Sequence, residues 1–221
     1  MLQGTLPAGF IAPCLPTKTD RLPSGSQWLH EIKHDGFRVI ARKDGDRVRL
    51  YSRPGNDMTR RFPLIAEALT GLRSRSCIID GEAVACDDNG LASFERIRYR
   101  QHDGDVFLYA FDLIELNGND LRRDPLQVRK ATLRSMLAKA GLGLRFNEHM
   151  EGDGPTIFAG RAHPCNISNN PPRLRATTSS PYGADYAMPN LLNHLAAPSC
   201  SRLGSHWDYV EPKGGNHPRR N

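Results

Sequence analysis

Apolar and polar residues alternate along three consecutive stretches of the chain, Trp28–Ile32, Phe37–Arg42 and Arg47–Tyr51. A period of two predicts β-strands with one buried face, and the short spacing between the stretches predicts antiparallel neighbours. The second and third stretches are joined by Lys43-Asp44-Gly45-Asp46, which is typical of a hairpin turn. Residues 1–26 carry four prolines and little periodicity, so we interpret them as a lead-in segment that wraps the core.

The middle of the chain contains two longer apolar stretches. Cys77–Cys86 predicts a strand that bends at Gly81. Val106–Ile114 is an apolar run interrupted by one acid, as expected for a strand buried on both faces. Gly143–His149 is a candidate for one more strand. Helical spacing of apolar residues predicts three helices, over Pro63–Leu69, Ser93–Arg100 and Pro125–Ala140.

The third predicted helix has the clearest amphipathic pattern. We expect Asp124-Pro125 to cap and start it and Gly141 to stop it. One face carries leucines and the other carries cations, so the cations are expected on the solvent side. The leucines are Leu126, Leu133 and Leu137, and the cations are Arg129, Lys130 and Arg134.

Composition indicates a globular chain without structural cross-links. The 221 residues suffice for one sizeable domain, or for a core domain with an appendage. The five cysteines are odd in number and widely spaced, which favours neither a disulfide framework nor a zinc site. No signal peptide and no apolar run of membrane-spanning length is present, so we expect a soluble intracellular protein. The net charge of +6 is compatible with a polyanionic partner.

The character of the chain changes near Gly160. Residues 160–221 are rich in proline, serine and asparagine, contain few charged residues and lack a periodic apolar pattern. Such a composition does not bury enough apolar surface to offset the entropy of ordering the chain. We therefore expect a poorly ordered tail.

The strongest candidate for chemistry is Lys33, within Glu31-Ile32-Lys33-His34-Asp35-Gly36. Gly36 allows a tight bend, so the lysine is expected at a strand end. A lysine attacks an electrophile only as the free amine, which requires its pKa to fall from about 10.4 toward 7 to 8. Arg38 and Arg53 are nearby cations that would favour the neutral amine and neutralise phosphate oxygens. The alternative from these residues alone is a hairpin with a solvated lysine.

Four motifs in order resemble the motif series of ATP-dependent DNA ligases, and most closely the ligase module of bacterial non-homologous end-joining ligases. The motifs are Glu-x-Lys-x-Asp-Gly followed by Arg38, Tyr51-Ser52-Arg53-Pro54-Gly55-Asn56, Asp80-Gly81-Glu82 and Phe111-Asp112-Leu113. The resemblance covers roughly residues 8–159. It implies an α+β nucleotidyltransferase core, ATP-grasp-like, with two antiparallel β-sheets, flanking helices and the nucleotide cleft between the sheets.

The resemblance also implies roles for individual residues. Lys33 would attack the α-phosphorus of ATP to form a lysyl-AMP phosphoramidate. Glu31 would lie near the adenine, Phe111 would stack on it, and Glu82 would accept from a ribose hydroxyl. The remaining pair, Arg38 and Arg53, would contact the nucleotide sugar and phosphates or the 5′-phosphate of a nick. His34 is given no role, and metal ligands are not assigned.

The implied reaction defines substrates and surroundings. Sealing a strand would use ATP, Mg²⁺ and nicked or broken double-stranded DNA, in repair and recombination. The resemblance implies a monomer in the bacterial cytoplasm, associated with the nucleoid and not with a membrane.

Three features of the family pattern are missing after Phe158. The Glu-Gly-apolar-apolar-x-Lys and Lys-x-Lys motifs are absent, and Lys213 is the sole lysine of the tail. The barrel domain that follows in the family is also absent. We therefore divide the chain into the lead-in segment, a truncated adenylation domain over 27–159 and a divergent tail over 160–221, which a frameshift or a truncated gene would explain. The alternatives to an active DNA ligase are an inactive fragment with at most ATP binding, and an RNA-ligase or capping-type nucleotidyltransferase.

Overall fold

The computed structural model describes residues 9–14, 17–18, 25, 28–87, 90, 92–153, 156, 173–178 and 185–187. The chain divides into two compact units. The first unit comprises Met1–Pro13 and His34–Glu148, and the second comprises Cys14–Lys33 and His149–Asn221.

A six-stranded sheet forms the framework of the first unit within the described residues. Its strands are β3 (Phe37–Asp44), β4 (Arg47–Ser52), β5 (Ser76–Val84), β6 (Phe107–Leu116), β7 (Asn119–Asp120) and β8 (Leu144–Phe146). The order is β4-β3-β5-β6-β7 with antiparallel neighbours, and β8 pairs with β6 in parallel.

One face of this sheet is covered by helices. They are α1 (Pro63–Thr70), the short α2 (Phe94–Arg98) and α3 (Leu126–Leu137). Alternate residues of the central strands, such as Val39, Ala41 and Ile79, point into a core that also contains Ile65 of α1 and Leu133 of α3. This burial follows from the period of two in the strands and the helical spacing of the leucines.

The predicted hairpin of β3 and β4 is confirmed. Asp44 pairs with Arg47, and Gly45 takes a left-handed φ of 57° in the turn. In contrast, β2 (Trp28–Lys33) does not pair with β3, because it belongs to the sheet of the second unit. The hairpin alternative for the loop after Lys33 is therefore wrong.

Two glycines of the predicted motifs are required by close approach of neighbouring strands. A Cβ on Gly36 would lie 2.1 Å from the Ala83 carbonyl oxygen, and Gly36 does not adopt a left-handed φ. A Cβ on Gly81 would lie 2.6 Å from the Tyr109 carbonyl oxygen. β5 continues through Gly81, and its register against β6 shifts between Asp80 and Gly81, at the position where a bend is predicted.

The expectation that the cations of α3 all face solvent is wrong for two of them. Arg129 and Lys130 are buried beside the leucines. Arg129 is buried because it forms an ion pair with Asp112, and Lys130 because it donates to backbone carbonyl groups. The helix begins at Leu126 without a side-chain cap, so Asp124 does not have the expected capping role.

The second unit contains a five-stranded sheet within the described residues. Its strands are β1 (Thr17–Lys18), β2, β9 (His149–Glu151), β10 (Arg173–Thr178) and β11 (Asp185–Ala187), in the order β1-β11-β10-β2-β9. The stretch predicted as one strand over Gly143–His149 is thus divided between β8 and β9, in different units. Within residues 160–221 the structure describes the strands β10 and β11, and β10 pairs with both β11 and β2. The rest of the tail lies outside the described residues.

None of the helices in the described part of the chain is long and apolar enough to span a membrane.

Candidate functional site

The sheet of the first unit brings three of the candidate residues together on the face opposite the helices. The antiparallel ladder pairs Arg38 of β3 with Glu82 of β5, and Glu82 with Tyr109 of β6. Phe111 follows on β6, and its ring centroid lies 4.5 Å from the guanidinium carbon of Arg38. A cation, a carboxylate and an aromatic ring therefore meet on adjacent strands.

Arg38 is held in place by Asp80. Its Nε and Nη2 donate to the two carboxylate oxygens of Asp80 at 2.6 and 2.8 Å. Asp80 is buried and Arg38 is largely buried, with 5% and 14% of their side-chain surface exposed respectively. Burial by itself would lower the pKa of Arg38, but the carboxylates of Asp80, Glu82 and Asp112 raise it above its ordinary value. The guanidinium is thus a permanent, oriented cation.

Phe111 is itself buried, with 5% of its surface exposed. The Arg38 guanidinium covers part of the ring, in the geometry of a cation–π contact. Stacking of a purine on Phe111 would therefore require the groups around the ring to shift. The expected role of Phe111 stays a prediction.

A stacked aromatic pair, which the sequence interpretation did not find, is formed by His34, in the loop between β2 and β3, and Tyr109 of β6. The His34 and Tyr109 rings are parallel within 5°, with centroids 3.6 Å apart. His34 Nε2 donates to Asn147 Oδ1 at 3.1 Å. Two signals in the sequence point to this pair: His34 directly follows Lys33, and Tyr109 lies two residues before Phe111.

Arg53 does not share the buried environment of Arg38. It is exposed in the turn that follows β4. Ser52, the preceding residue, pairs with Val39, so Arg53 follows the end of β4 that lies beside the Arg38 end of β3. An exposed arginine in a turn can contact a large ligand without a change in the fold.

Glu31 and Lys33 lie in the second unit, two residues apart on β2, and therefore on the same face of that strand. Glu31 is 1% exposed, whereas Lys33 is the partly exposed last residue of β2. In the ladder with β10, Lys33 pairs with Arg173 and Glu31 pairs with Arg175. The lysine is thus at a strand end, as predicted.

The described residues contain no preformed cluster of metal ligands. No group of three or more acidic, histidine or cysteine side chains among them is arranged to hold one. Two acids of the candidate face, Asp80 and Asp112, are each engaged by an arginine, Arg38 and Arg129 respectively.

Comparison with known proteins identifies a family and several relatives. Residues 16–156 match the model of a family described as ATP dependent DNA ligase domain. The multifunctional non-homologous end joining DNA repair protein LigD of Mycobacterium tuberculosis is 37% identical over 150 residues, which are 67% of this chain and 20% of that protein.

Two solved structures resemble the fold. The ligase domain of M. tuberculosis LigD superposes with a TM-score of 0.61 at 30% identity, covering 76% of this chain and 55% of that domain. Mycobacterial DNA ligase D complexed with ATP and MES gives a TM-score of 0.59 at 30% identity, covering 75% and 55%. The chain spans 20% of the curated relative's length and 55% of each solved chain.

Proposed function

Because the chain belongs to the ATP-dependent DNA ligase domain family, we propose that it catalyses self-adenylation, the first step of DNA ligation, with Lys33 as the nucleophile. The family match favours the DNA-ligase branch over the RNA-ligase and capping alternative. The expected antiparallel two-sheet α+β fold agrees with the solved ligase domain.

The proposed step is a nucleotidyl transfer to an amine. The neutral Nζ of Lys33 attacks the α-phosphorus of ATP, a nitrogen–phosphorus bond forms, and the bond to the bridging oxygen breaks. Pyrophosphate leaves, and the amine loses one proton to solvent. The substrate is the magnesium complex of ATP, and no step is assigned to a metal ion held by the protein.

The observation that carries the proposal is the fixed orientation of the Arg38 guanidinium. Its guanidinium is oriented by Asp80, lies against Phe111 and is paired across the ladder with Glu82. A nucleotide presents phosphates, a base and ribose hydroxyl groups, and these suit a cation, an aromatic ring and a carboxylate. We assign Arg38 to the phosphates or sugar, Phe111 to the base and Glu82 to a ribose hydroxyl.

The other two candidates have roles that their positions permit. Glu31 is assigned to the environment of the adenine, and its burial is compatible with an acceptor for the base. Exposed Arg53 is assigned to a phosphate of the nucleotide or of the DNA end. The nicked or broken DNA, the repair and recombination setting at the bacterial nucleoid and a monomeric state are parts of the same proposal.

Labelling with α-³²P-ATP tests the adenylation step. The full chain is incubated with ATP and Mg²⁺, and acid-labile label on the protein is measured. We expect label on the wild type and on Lys139→Ala, a control at an exposed lysine, and none on Lys33→Ala. Absence of label from the wild type, or label on Lys33→Ala equal to that on the control, contradicts the proposal.

Strand joining requires a separate assay, because self-adenylation does not need DNA. The protein is mixed with a nicked duplex carrying a 5′-phosphate, and the joined product is measured. Label together with joining supports a complete ligase reaction. Label without joining restricts the function of this chain to adenylation. If neither label nor joined product is found, the chain is an inactive fragment.

A further inference from the structure

Lys130 is a buried cation to which the proposed adenylation step assigns no role. It lies on α3 with 0% of its surface exposed. Burial of an ammonium group costs several kcal/mol unless the group is well bonded. Its Nζ donates to the carbonyl oxygens of Phe111 and Asn147, each at 3.2 Å, and lies 4.7 Å from the ring centroid of Phe146. These contacts offset the loss of hydration.

The Phe111 carbonyl group belongs to a β-bulge. The ladder of β5 and β6 pairs Asp80 with Asp112 and Gly81 with Ala110, so Phe111 is the extra residue of β6. A bulge changes the regular strand pairing at this residue. Lys130 donates to the Phe111 carbonyl oxygen and thereby ties the peptide of Phe111 to helix α3.

Arg129, which precedes Lys130 on α3, bonds to Asp112, the residue that follows Phe111 on β6. Arg129 donates from Nε and Nη2 to the Asp112 carboxylate at 2.8 and 3.0 Å. Consecutive cations of one helix therefore hold consecutive residues of the bulge. A displacement of α3 would shift the backbone that carries Phe111.

Lys130 also contacts the segment that holds His34. The backbone N–H of Asn147 donates to the Ala110 carbonyl oxygen at 2.8 Å, and its side-chain oxygen accepts from His34. His34 is in turn stacked on Tyr109 and directly follows Lys33 in the chain. One ammonium group is thus bonded both to Phe111 and to the residue that orients His34.

From these contacts we infer that Lys130 is a positioning residue for nucleotide binding, which holds the backbone that carries Phe111, the residue assigned to the base, and, through Asn147, holds His34 in place. The inference rests on the proposed function, because it assigns the base to Phe111. A methionine of similar length would fill the space but would remove the donor to both carbonyl groups. Affinity for the base should then fall, whereas affinity for the phosphates should not.

The test compares two ligands in the full chain. The dissociation constants of ATP and of inorganic tripolyphosphate are measured by calorimetry for wild type, Lys130→Met, Lys130→Gln and the exposed control Lys139→Met. We expect ATP to bind Lys130→Met about 10-fold more weakly, the scale of a misplaced aromatic contact, and tripolyphosphate to bind within about 2-fold of wild type. Lys130→Gln retains one neutral donor and should show a smaller loss.

Circular dichroism and thermal unfolding establish which variants are folded. If Lys130→Met is not folded, the binding data for Lys130→Gln provide the result. Unchanged ATP affinity in a folded variant, an equal loss for both ligands, or unfolding of both variants overturns the positioning role. If the wild type itself does not bind ATP, the proposed function fails instead.

Discussion

The guanidinium of Arg38 and the carboxylate of Asp80 form a bidentate ion pair between adjacent strands, with bonds of 2.6 and 2.8 Å. The pair is diagonal in the ladder, since Arg38 pairs with Glu82 and Ile40 pairs with Asp80. Asp80 is therefore the residue that orients Arg38, and Glu82 lies beside the pair. The first acid of the Asp-Gly-Glu motif thereby has a structural role distinct from that proposed for the second.

Removal of the Asp80 charge should destabilise the fold. Asp80→Asn leaves the buried Arg38 cation without its main partner, and we expect the free energy of unfolding to fall by about 3 kcal/mol. Urea denaturation measures the change. The control is Asp120→Asn, because Arg122, the partner of Asp120, is 53% exposed. For this variant we expect the free energy of unfolding to fall by less than about 1 kcal/mol. Equal losses in the two variants would contradict the prediction.

Substitution of Gly36 by alanine should also destabilise the protein. The added Cβ would lie 2.1 Å from the Ala83 carbonyl oxygen, so the chain that enters β3 must move away from β5. We expect a loss of about 3 kcal/mol in urea denaturation. Gly104→Ala is the matched control, because nothing lies within 4 Å of its Cβ position, and its stability should stay close to that of wild type. Wild-type stability of Gly36→Ala would contradict a close contact between Gly36 and the Ala83 carbonyl group.

Cys77 should make stability depend on pH in the alkaline range. Burial raises the pKa of its thiol from 9.0 to about 11. The pKa of Cys77 is higher in the folded state than in the unfolded state. The stability that the neutral thiol contributes is therefore fully present below pH 9 and is lost as pH rises through 11. We expect the stability of wild type relative to Cys77→Ala to fall by about 2 kcal/mol between pH 9 and 11. Parallel urea titrations measure it, and a constant difference would rule the effect out.

Glu82 should discriminate nucleotides by their sugar. If its carboxylate accepts from a ribose hydroxyl, Glu82→Gln weakens a charge-assisted hydrogen bond, and we expect ATP to bind about 10-fold less tightly. Binding of 2′,3′-dideoxy-ATP, which lacks both hydroxyl groups, should not change. Calorimetry with the two nucleotides separates the effects. A similar loss for both would assign Glu82 a structural role.

Arg53 should affect activity without affecting the fold. Arg53→Ala removes an exposed side chain, so the melting temperature should be unchanged. We expect adenylation or strand joining to slow by about 10-fold or more through loss of a phosphate contact. Arg73→Ala, at another exposed arginine, is the control and should behave as wild type in both assays. Wild-type rates for Arg53→Ala would remove this residue from the site.

Sequence pattern was sufficient for features that depend on neighbours along the chain. The β3–β4 hairpin follows from alternation on both sides of Lys43-Asp44-Gly45-Asp46, and the buried strand β6 from its apolar run. The motif series likewise led to the ligase family, which the family match confirms.

Tertiary structure decided what depends on residues far apart in the chain. Alternation marks β2 as a strand but does not select its partners, which are β9 and β10 and not β3. Helical spacing predicts exposure of Lys130, but the bulged carbonyl group of Phe111 supplies a buried acceptor for it. His34 becomes part of the candidate site only through Tyr109 and Asn147. Periodicity encodes the face of an element, whereas burial of a polar group depends on a partner that only the folded chain brings within reach.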